Sequence, residues 1–394
     1  MIIKNVKIKT MSGKDYENGF VRFNGKITEI GDMDDLSPMI EEEIDGAGKT
    51  LYPGFVDAHC HLGMWSDCLS MQLEGDDGNE VTDPSTPHLR AIDSINAMDR
   101  CFADAVSAGV TSVCTGVGSA NPIGGSFALI KTSGSKRVDK LIVKNPAAVK
   151  FALGENPKST YNDRDEAPVT RMATAAIIRE QLQKALRYKD DLDEYAAKKG
   201  TDDEVGKPDF DAKCEALLPL FAKENKLKAH FHCHRADDIF TAIRIAKEFE
   251  LDYVLIHCTD GGIIAEELAE DDPAVILGPL FGDRGKPELA HHDISTPKTL
   301  AEHGLKFAIC TDHPETPIQY LPMTAALAVR GGLSHEEALK AITINAARIL
   351  GASDRIGSIK LGKDADFALF SGDPLDLTVT PDLVIVGGEI AYKK

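Results

Sequence analysis

The chain is predicted to be an α/β protein: a (β/α)8 TIM-like barrel joined to a small β-sandwich built from both chain termini. Three observations predict it. Short apolar runs end repeatedly in a histidine or an aspartate, at 51–61, 229–234, 253–260 and 307–314. Helix-like stretches, such as 237–249 and 263–270, separate these runs. The pattern of strand, polar end and helix, repeated, is how such a barrel is written, and its chemistry sits at the C-terminal ends of the strands. Both ends of the chain instead show short alternating strands.

The alternating strands come first. Met1-Ile-Ile-Lys-Asn-Val-Lys-Ile-Lys and Gly19-Phe-Val-Arg-Phe-Asn-Gly-Lys-Ile-Thr-Glu-Ile surround Asn24-Gly25, a two-residue hairpin signal. The same style returns after Ala365, in Ala365-Asp-Phe-Ala-Leu-Phe and Leu383-Val-Ile-Val-Gly-Gly-Glu-Ile-Ala-Tyr. Residues 1–52 and 355–394 are therefore assigned to the sandwich and 53–354 to the barrel. A chain of 394 residues exceeds a barrel of about 250, which leaves room for both the second domain and an insertion.

The insertion is a compositional break at about 156–213, polar and charged after the fourth barrel strand. Inside it, 170–186 has helical periodicity, with Met172, Ala176, Ile177, Leu182 and Leu186 recurring at three to five residues. Two readings fit, a helix lying over the active-site face and a solvated charged helix without a role.

Composition excludes several classes. Lys+Arg 44 against Asp+Glu 63 gives a net charge of −19, which opposes binding to nucleic acid or to an anionic membrane surface. No run is long enough to span a bilayer and no export signal opens the chain, so a cytoplasmic protein is expected. Eight cysteines in such a chain read as free thiols. Alternation turns Cys60 away from His59 and His61, and Cys233 away from His232 and His234, so these thiols are expected to pack against the helices. Cys310 shares the parity of Asp312 and is expected to line the barrel.

In His59-Cys60-His61 the strand alternation puts both imidazoles on one face, where two nitrogens can grip one metal ion. An isolated His-x-His is weak, but it is followed in order by further histidine-bearing strand ends and by Asp312. With the opening Pro53-Gly54-Phe55-Val56-Asp57-Ala58-His59-Cys60-His61 and the close Ile356-Gly357-Ser358-Ile359-Lys360-Leu361-Gly362-Lys363-Asp364-Ala365-Asp366-Phe367, the chain resembles the amidohydrolase superfamily over nearly its whole length. Within that superfamily it is similar to the branch of imidazolonepropionase and the metal-dependent dipeptidases.

The resemblance implies a set of metal ligands. His59 and His61 bind a buried ion together with Asp312, which also takes the proton from the attacking water. Of His230, His232 and His234, which share one parity, the register of His232-Cys233-His234-Arg235-Ala236-Asp237-Asp238 makes His232 the ligand. His257 is its partner at an outer ion. His230 then reads as a core histidine, and His234 as a substrate contact.

Whether one or two metals bind depends on the fourth strand. Glu155 is the expected bridge, because Leu153-Gly154-Glu155 resembles the bridging position of adenine deaminases. Lys150, as a carboxylated lysine, is the alternative, since lysine inside an apolar strand is costly unless paired or modified. If neither bridges, the chain resembles the single-metal imidazolonepropionase subgroup. Imidazole and carboxylate donors suit zinc, with iron, manganese or cobalt as alternatives. Two zinc ions are expected.

Loops at 118–125 and 277–286 are expected at the mouth, where glycines allow close backbone approach or simply form turns. Arg171 and Lys286, from a group that also contains Lys158, Arg164 and Arg284, are the candidates for holding a substrate carboxylate; a surface ion pair is the alternative for each. His313 is expected to orient a neighbour, and Trp65 either floors a pocket or anchors its loop.

The function expected from the resemblance is hydrolysis of a C–N bond in a small amino-acid-like or cyclic amide through a metal-bound hydroxide. A mononuclear imidazolonepropionase- or deaminase-type enzyme acting on a nitrogen heterocycle is the second reading. A scaffold that has lost catalysis is the third, and the intact set His59, His61, His232, His257 and Asp312 opposes it. The partner is a small molecule, and analogy adds a homo-oligomer.

Overall fold

The computed structural model describes residues 1–65, 75–201, 203 and 205–394; Cys68 and parts of the charged segment near 202 and 204 lie outside the described residues. Among the described residues, sixteen strands fall into two sheets. In chain order they are β1 (Ile2–Ile8), β2 (Tyr16–Asn24), β3 (Lys26–Asp32), β4 (Glu43–Asp45), β5 (Thr50–Pro53), β6 (Phe55–Cys60), β7 (Val110–Thr115) and β8 (Ile123–Lys131), then β9 (Ile142–Ala152), β10 (Lys228–Cys233), β11 (Tyr253–His257), β12 (Ala274–Leu277), β13 (Phe307–Ile309), β14 (Phe367–Phe370), β15 (Leu383–Val386) and β16 (Glu389–Lys393). The helices are α1 (Cys101–Ser107), α2 (Glu155–Asn162), α3 (Arg171–Lys198), α4 (Ala212–Leu217), α5 (Ala236–Glu248), α6 (Ala265–Asp271), α7 (Thr296–Glu302), α8 (Leu321–Arg330), α9 (His335–Ala341) and α10 (Ile344–Ile349).

Strands β6 to β13 form one eight-stranded sheet in sequential order. It closes nearly into a barrel: beyond the last strand, the Asp312 amide donates to the His59 carbonyl at 3.2 Å and the His61 amide to the His313 carbonyl at 2.8 Å. The sheet differs from a uniformly parallel barrel in one strand. β8 runs antiparallel to both β7 and β9, while the remaining neighbours are parallel. The reason is reach: a parallel crossover takes a dozen or more residues, and the link between Thr115 and Ile123 is too short for one.

Alternation sorts the barrel side chains into two layers. Val56, Ala58, Cys114, Phe127, Val254, Ile256 and Cys310 fill the inside. Cys60, Cys233, Phe151, Phe231 and Leu255 join the outer layer of helices. The thiols therefore take the sides expected of them; the seven described cysteines are buried, and Cys60, Cys114, Cys214, Cys233, Cys258 and Cys310 are free.

Both termini contribute to the second sheet, ordered β16-β15-β14-β5-β1-β2-β3 with β4 also paired to β1. Its pairing of β14 with β5 joins the chain's two ends immediately before the first barrel strand. A network of charges ties this sheet to the barrel: Lys131 at the end of β8 pairs with Asp364 and Asp366, and Asp364 also meets Arg355 and Lys26.

The insertion's helix is longer than its apolar periodicity indicates, because 28 residues form α3. Thr170 caps it by accepting from the Ala173 amide. Its charged second half carries the i,i+4 pairs Lys189–Asp193 and Glu194–Lys198, which extend a helix beyond its buried face. α3 packs beside α5, joined by an Arg179–Glu248 ion pair at 2.7 Å. The short α2, not α3, reaches the barrel mouth, where Asn156, Ser159 and Thr160 line a cavity. Among the described residues, no helix is long and apolar enough to cross a membrane.

Candidate metal centre

The strand ends deliver imidazoles whose second nitrogens are fixed by the backbone. His61, just past β6, bonds through Nδ1 to the Gly116 carbonyl at 2.7 Å, and His257, ending β11, bonds likewise to Gly278 at 2.7 Å. Since a carbonyl only accepts, both rings donate from Nδ1, and His257, its pKa drawn down to about 4 chiefly by burial, is neutral with a lone pair at Nε2. His232 meets the Ser119 hydroxyl through Nδ1 at 3.0 Å, and His234 meets the Thr259 hydroxyl through Nδ1 at 2.8 Å.

Two sets of donors converge, each with its ligand atoms within 4.8 Å of one another. One is His59, His257 and Asp312; the other is His232, His234 and His257. His61 joins the first through Asp312, its Nε2 lying 3.3 Å from Oδ1, with His59 Nε2 at 3.6 Å from the same oxygen. Burial first, and neighbouring positive groups second, hold the His59, His232 and His234 pKa values well below the usual imidazole range, so these rings stay neutral. Burial opposes ionisation of Asp312, yet His257 and His61 hold its carboxyl below the ordinary carboxylate range.

The chemistry of these groups fits a divalent metal. Nε2 of His232 and Nε2 of His257 are buried without a hydrogen-bond partner among the described residues. Unpartnered buried lone pairs are costly in a dry interior, and a cation satisfies them. Backbone strain gathers at the same place, with His257, Cys258 and Asp312 at φ 72°, 49° and 53°. Left-handed conformations are uncommon for such residues and cluster at functional sites.

The two bridge candidates occupy different positions. Lys150 is fully buried inside β9, in register with His230, and its Nζ lies 3.1 Å from His59 Nε2. Burial pulls its pKa down to about 8. Glu155 is the first residue of α2; its amide donates to Glu288 at 2.9 Å, and it belongs to neither donor set. Of the three substrate-contact candidates, His234 and Lys286 line a 590 Å³ cavity that also exposes His61 and Asp312. Arg171 is not on its wall; it grips the buried Asp238 through Nε at 2.9 and 3.1 Å. Trp65 lines the cavity and meets His61 edge-on at 4.9 Å between ring centres. His313 accepts the Ile318 amide through Nδ1 at 3.1 Å. His230 is fully buried beneath His232.

Three residues escaped the sequence reading. Asp57, fully buried, accepts from the His59 amide at 3.2 Å and from the Thr311 amide at 3.2 Å, tying the first strand to the last. An acid inside the apolar run before His59 was the available signal. Phe127, on the antiparallel β8, stacks on His59 at 5.0 Å. Glu288, 1% exposed in the loop after β12, reaches in under the mouth. Gly154, at φ 87°, makes room for it: a Cβ there would meet Glu288 Oε2 at 2.6 Å.

Residues 50–391 match the model of the Amidohydrolase family. The chain belongs to the amidohydrolase family. An amidohydrolase from Thermotoga maritima shares its structure, with a TM-score of 0.93 and 39% identity over 100% of both chains. Among curated relatives, "Amidohydrolase tasK" of Hapsidospora irregularis is 29% identical over 93% of this chain, which spans only 39% of that protein's length. The imidazolonepropionase of Sphingopyxis alaskensis is 27% identical over 95% of this chain and 92% of its own. The family and these relatives indicate a hydrolase acting on carbon–nitrogen bonds, and the eight-stranded near-closed barrel is shared with the Thermotoga maritima structure.

Proposed function

We propose that this amidohydrolase cleaves the C–N bond of a small amino-acid-like or cyclic amide with the help of divalent metal. The observation that carries the reading is the convergence of buried, neutral imidazoles on Asp312 at the floor of a 590 Å³ cavity. His59, His61 and Asp312 would hold an inner ion, and His232 and His257 an outer one. Metal in such a site, with zinc as the expected ion, acts as a Lewis acid and lowers the pKa of water from 15.7 to roughly 7.

The chain's own residues supply the remaining steps. Asp312, kept ionised beside His257 and His61, takes a proton at Oδ and passes it to the departing nitrogen. Lys286, on the cavity wall, orients an anionic end of the substrate through its ammonium. Lys150 is the better-placed bridge, because its Nζ lies beside His59 Nε2 whereas Glu155 faces Glu288 through its backbone. A pKa drawn down to about 8 leaves part of the amine neutral near pH 7, able to add to CO2 and form a carbamate, with the displaced proton lost to solvent.

Several broader assignments belong with this reading. Residues 1–52 and 355–394 form a β-sandwich domain and 53–354 the barrel domain, supported by the pairing of β14 with β5. A cytoplasmic location and a homo-oligomer accompany it, the latter by analogy.

Metal content by plasma mass spectrometry tests the reading, on wild type, Lys150→Met and Glu155→Gln purified without chelator. Two ions in wild type with one lost in Lys150→Met alone are expected. One ion in all three would replace it with the mononuclear heterocycle enzyme.

A further inference from the structure

We propose that Glu288 and His234 are ligands of the outer metal ion, completing a four-donor site with His232 and His257. The proposal rests on the metal-dependent reading above and changes His234 from a substrate contact into a ligand.

The three imidazoles already place one donor each within 4.8 Å of one another. His234 and His257 lie parallel, 9° apart, with ring centres 4.6 Å from each other, and His232 stands nearly perpendicular to both. Neutral imidazoles alone bring no negative charge to a dication. Glu288 brings it. Its Oε1 lies 3.7 Å from His234 Nε2 and 4.0 Å from His232 Nε2. With metal–ligand bonds of about 2.0–2.2 Å, the edges of a tetrahedral site are about 3.3–3.6 Å long, so these two spacings need shorten only slightly for Glu288, outside the three-histidine set as it stands, to join it.

The surroundings hold Glu288 for this task. It is buried, and Oε2 is committed to the Glu155 amide at 2.9 Å, which aims Oε1 at the histidines. Among the described residues Oε1 is otherwise without a hydrogen-bond partner, and it faces the Lys286 ammonium at 2.7 Å. A monocation thus stands beside the carboxylate at the edge of the site. A dication between the histidines compensates Oε1 directly and frees Lys286, already tethered to Asn156 Oδ1 at 2.9 Å, to face the cavity. The outer site then has its own carboxylate whether or not Lys150 bridges.

The test uses full-length protein stripped of metal and titrated with Co2+, with bound cobalt counted after desalting and its visible absorption recorded. Wild type is expected to bind two ions. Glu288→Gln and His234→Asn are each expected to keep one and to bind the second at least about tenfold more weakly, with the absorption of one cobalt lost. Circular dichroism establishes the fold of each, and His234→Asn carries the test if Glu288→Gln does not fold, since the two residues lie on separate elements. Wild-type affinity for the second ion in either folded variant overturns the proposal. So does a single wild-type ion that survives both substitutions and is lost in His59→Asn, a result that leaves the metal-dependent reading standing. A wild type that binds no cobalt defeats that reading itself.

Discussion

Replacing Lys131 by methionine is expected to destabilise the protein by about 3 kcal/mol without touching the metal centre. Lys131 is 11% exposed and faces Asp364 and Asp366, themselves 8% and 5% exposed. Removing one partner of a buried ion pair typically costs about 3–5 kcal/mol, because an uncompensated charge remains. Here the loss is divided unequally. Asp364 keeps Arg355 at 2.8 Å and Lys26 at 3.1 Å, whereas Asp366 keeps only the Gly387 amide at 2.8 Å among the described residues. One carboxylate is stranded and not two, which places the change at the lower end of the range. At about 2.1 cal/mol/K of unfolding entropy per residue, a cooperative unit of 394 residues would melt about 4 °C lower. If the terminal sheet melts by itself, its smaller entropy enlarges the shift of its own transition to about 15 °C. Differential scanning calorimetry distinguishes the two, and Asp366→Asn in the Lys131→Met background should restore part of the loss by removing the stranded charge. A Tm within about 1 °C of wild type would refute the reasoning, as would a loss independent of whether Asp366 is charged.

Two further outcomes follow from packing and capping. Phe127→Ala opens a cavity against His59 in a fully buried layer, and should cost about 3–5 kcal/mol by urea unfolding while lowering metal retention; unchanged retention would show that Phe127 does not position the ring. Thr170→Ala removes the N-cap of α3, a helix that supplies none of the donors, and should cost about 1 kcal/mol with metal content unchanged; a loss of metal would contradict that separation of roles.

What the sequence made legible was mostly what local chemistry dictates. A strand of alternating residues that ends in His59 and His61 can hardly place them apart, and the apolar runs before His232, His257 and Asp312 carry the same constraint. The direction of β8 was not written in its own residues, since alternation is identical in both senses. It was written in the short link before it, which no crossover could span. The run of α3 beyond Leu186 was hidden because ion pairs, and not burial, sustain it. Glu288 was illegible for a deeper reason. A glutamate between lysine, proline and leucine in a polar loop reads as solvated, and only the fold brings that loop over Gly154 and under the mouth.

The seam where the barrel meets itself has a consequence for how the protein comes into being. The carbonyl of His59 accepts from the amide of Asp312 across the seam, so groups that help to shut the barrel belong to residues of one candidate donor set. A nascent chain carries His59 and His61 early and Asp312 only after some 250 more residues have been translated, so an unfinished polypeptide exposes histidines without possessing a complete trap for metal. A chain that stops before Asp312 thus lacks both the last partner of the seam and one member of that candidate donor set.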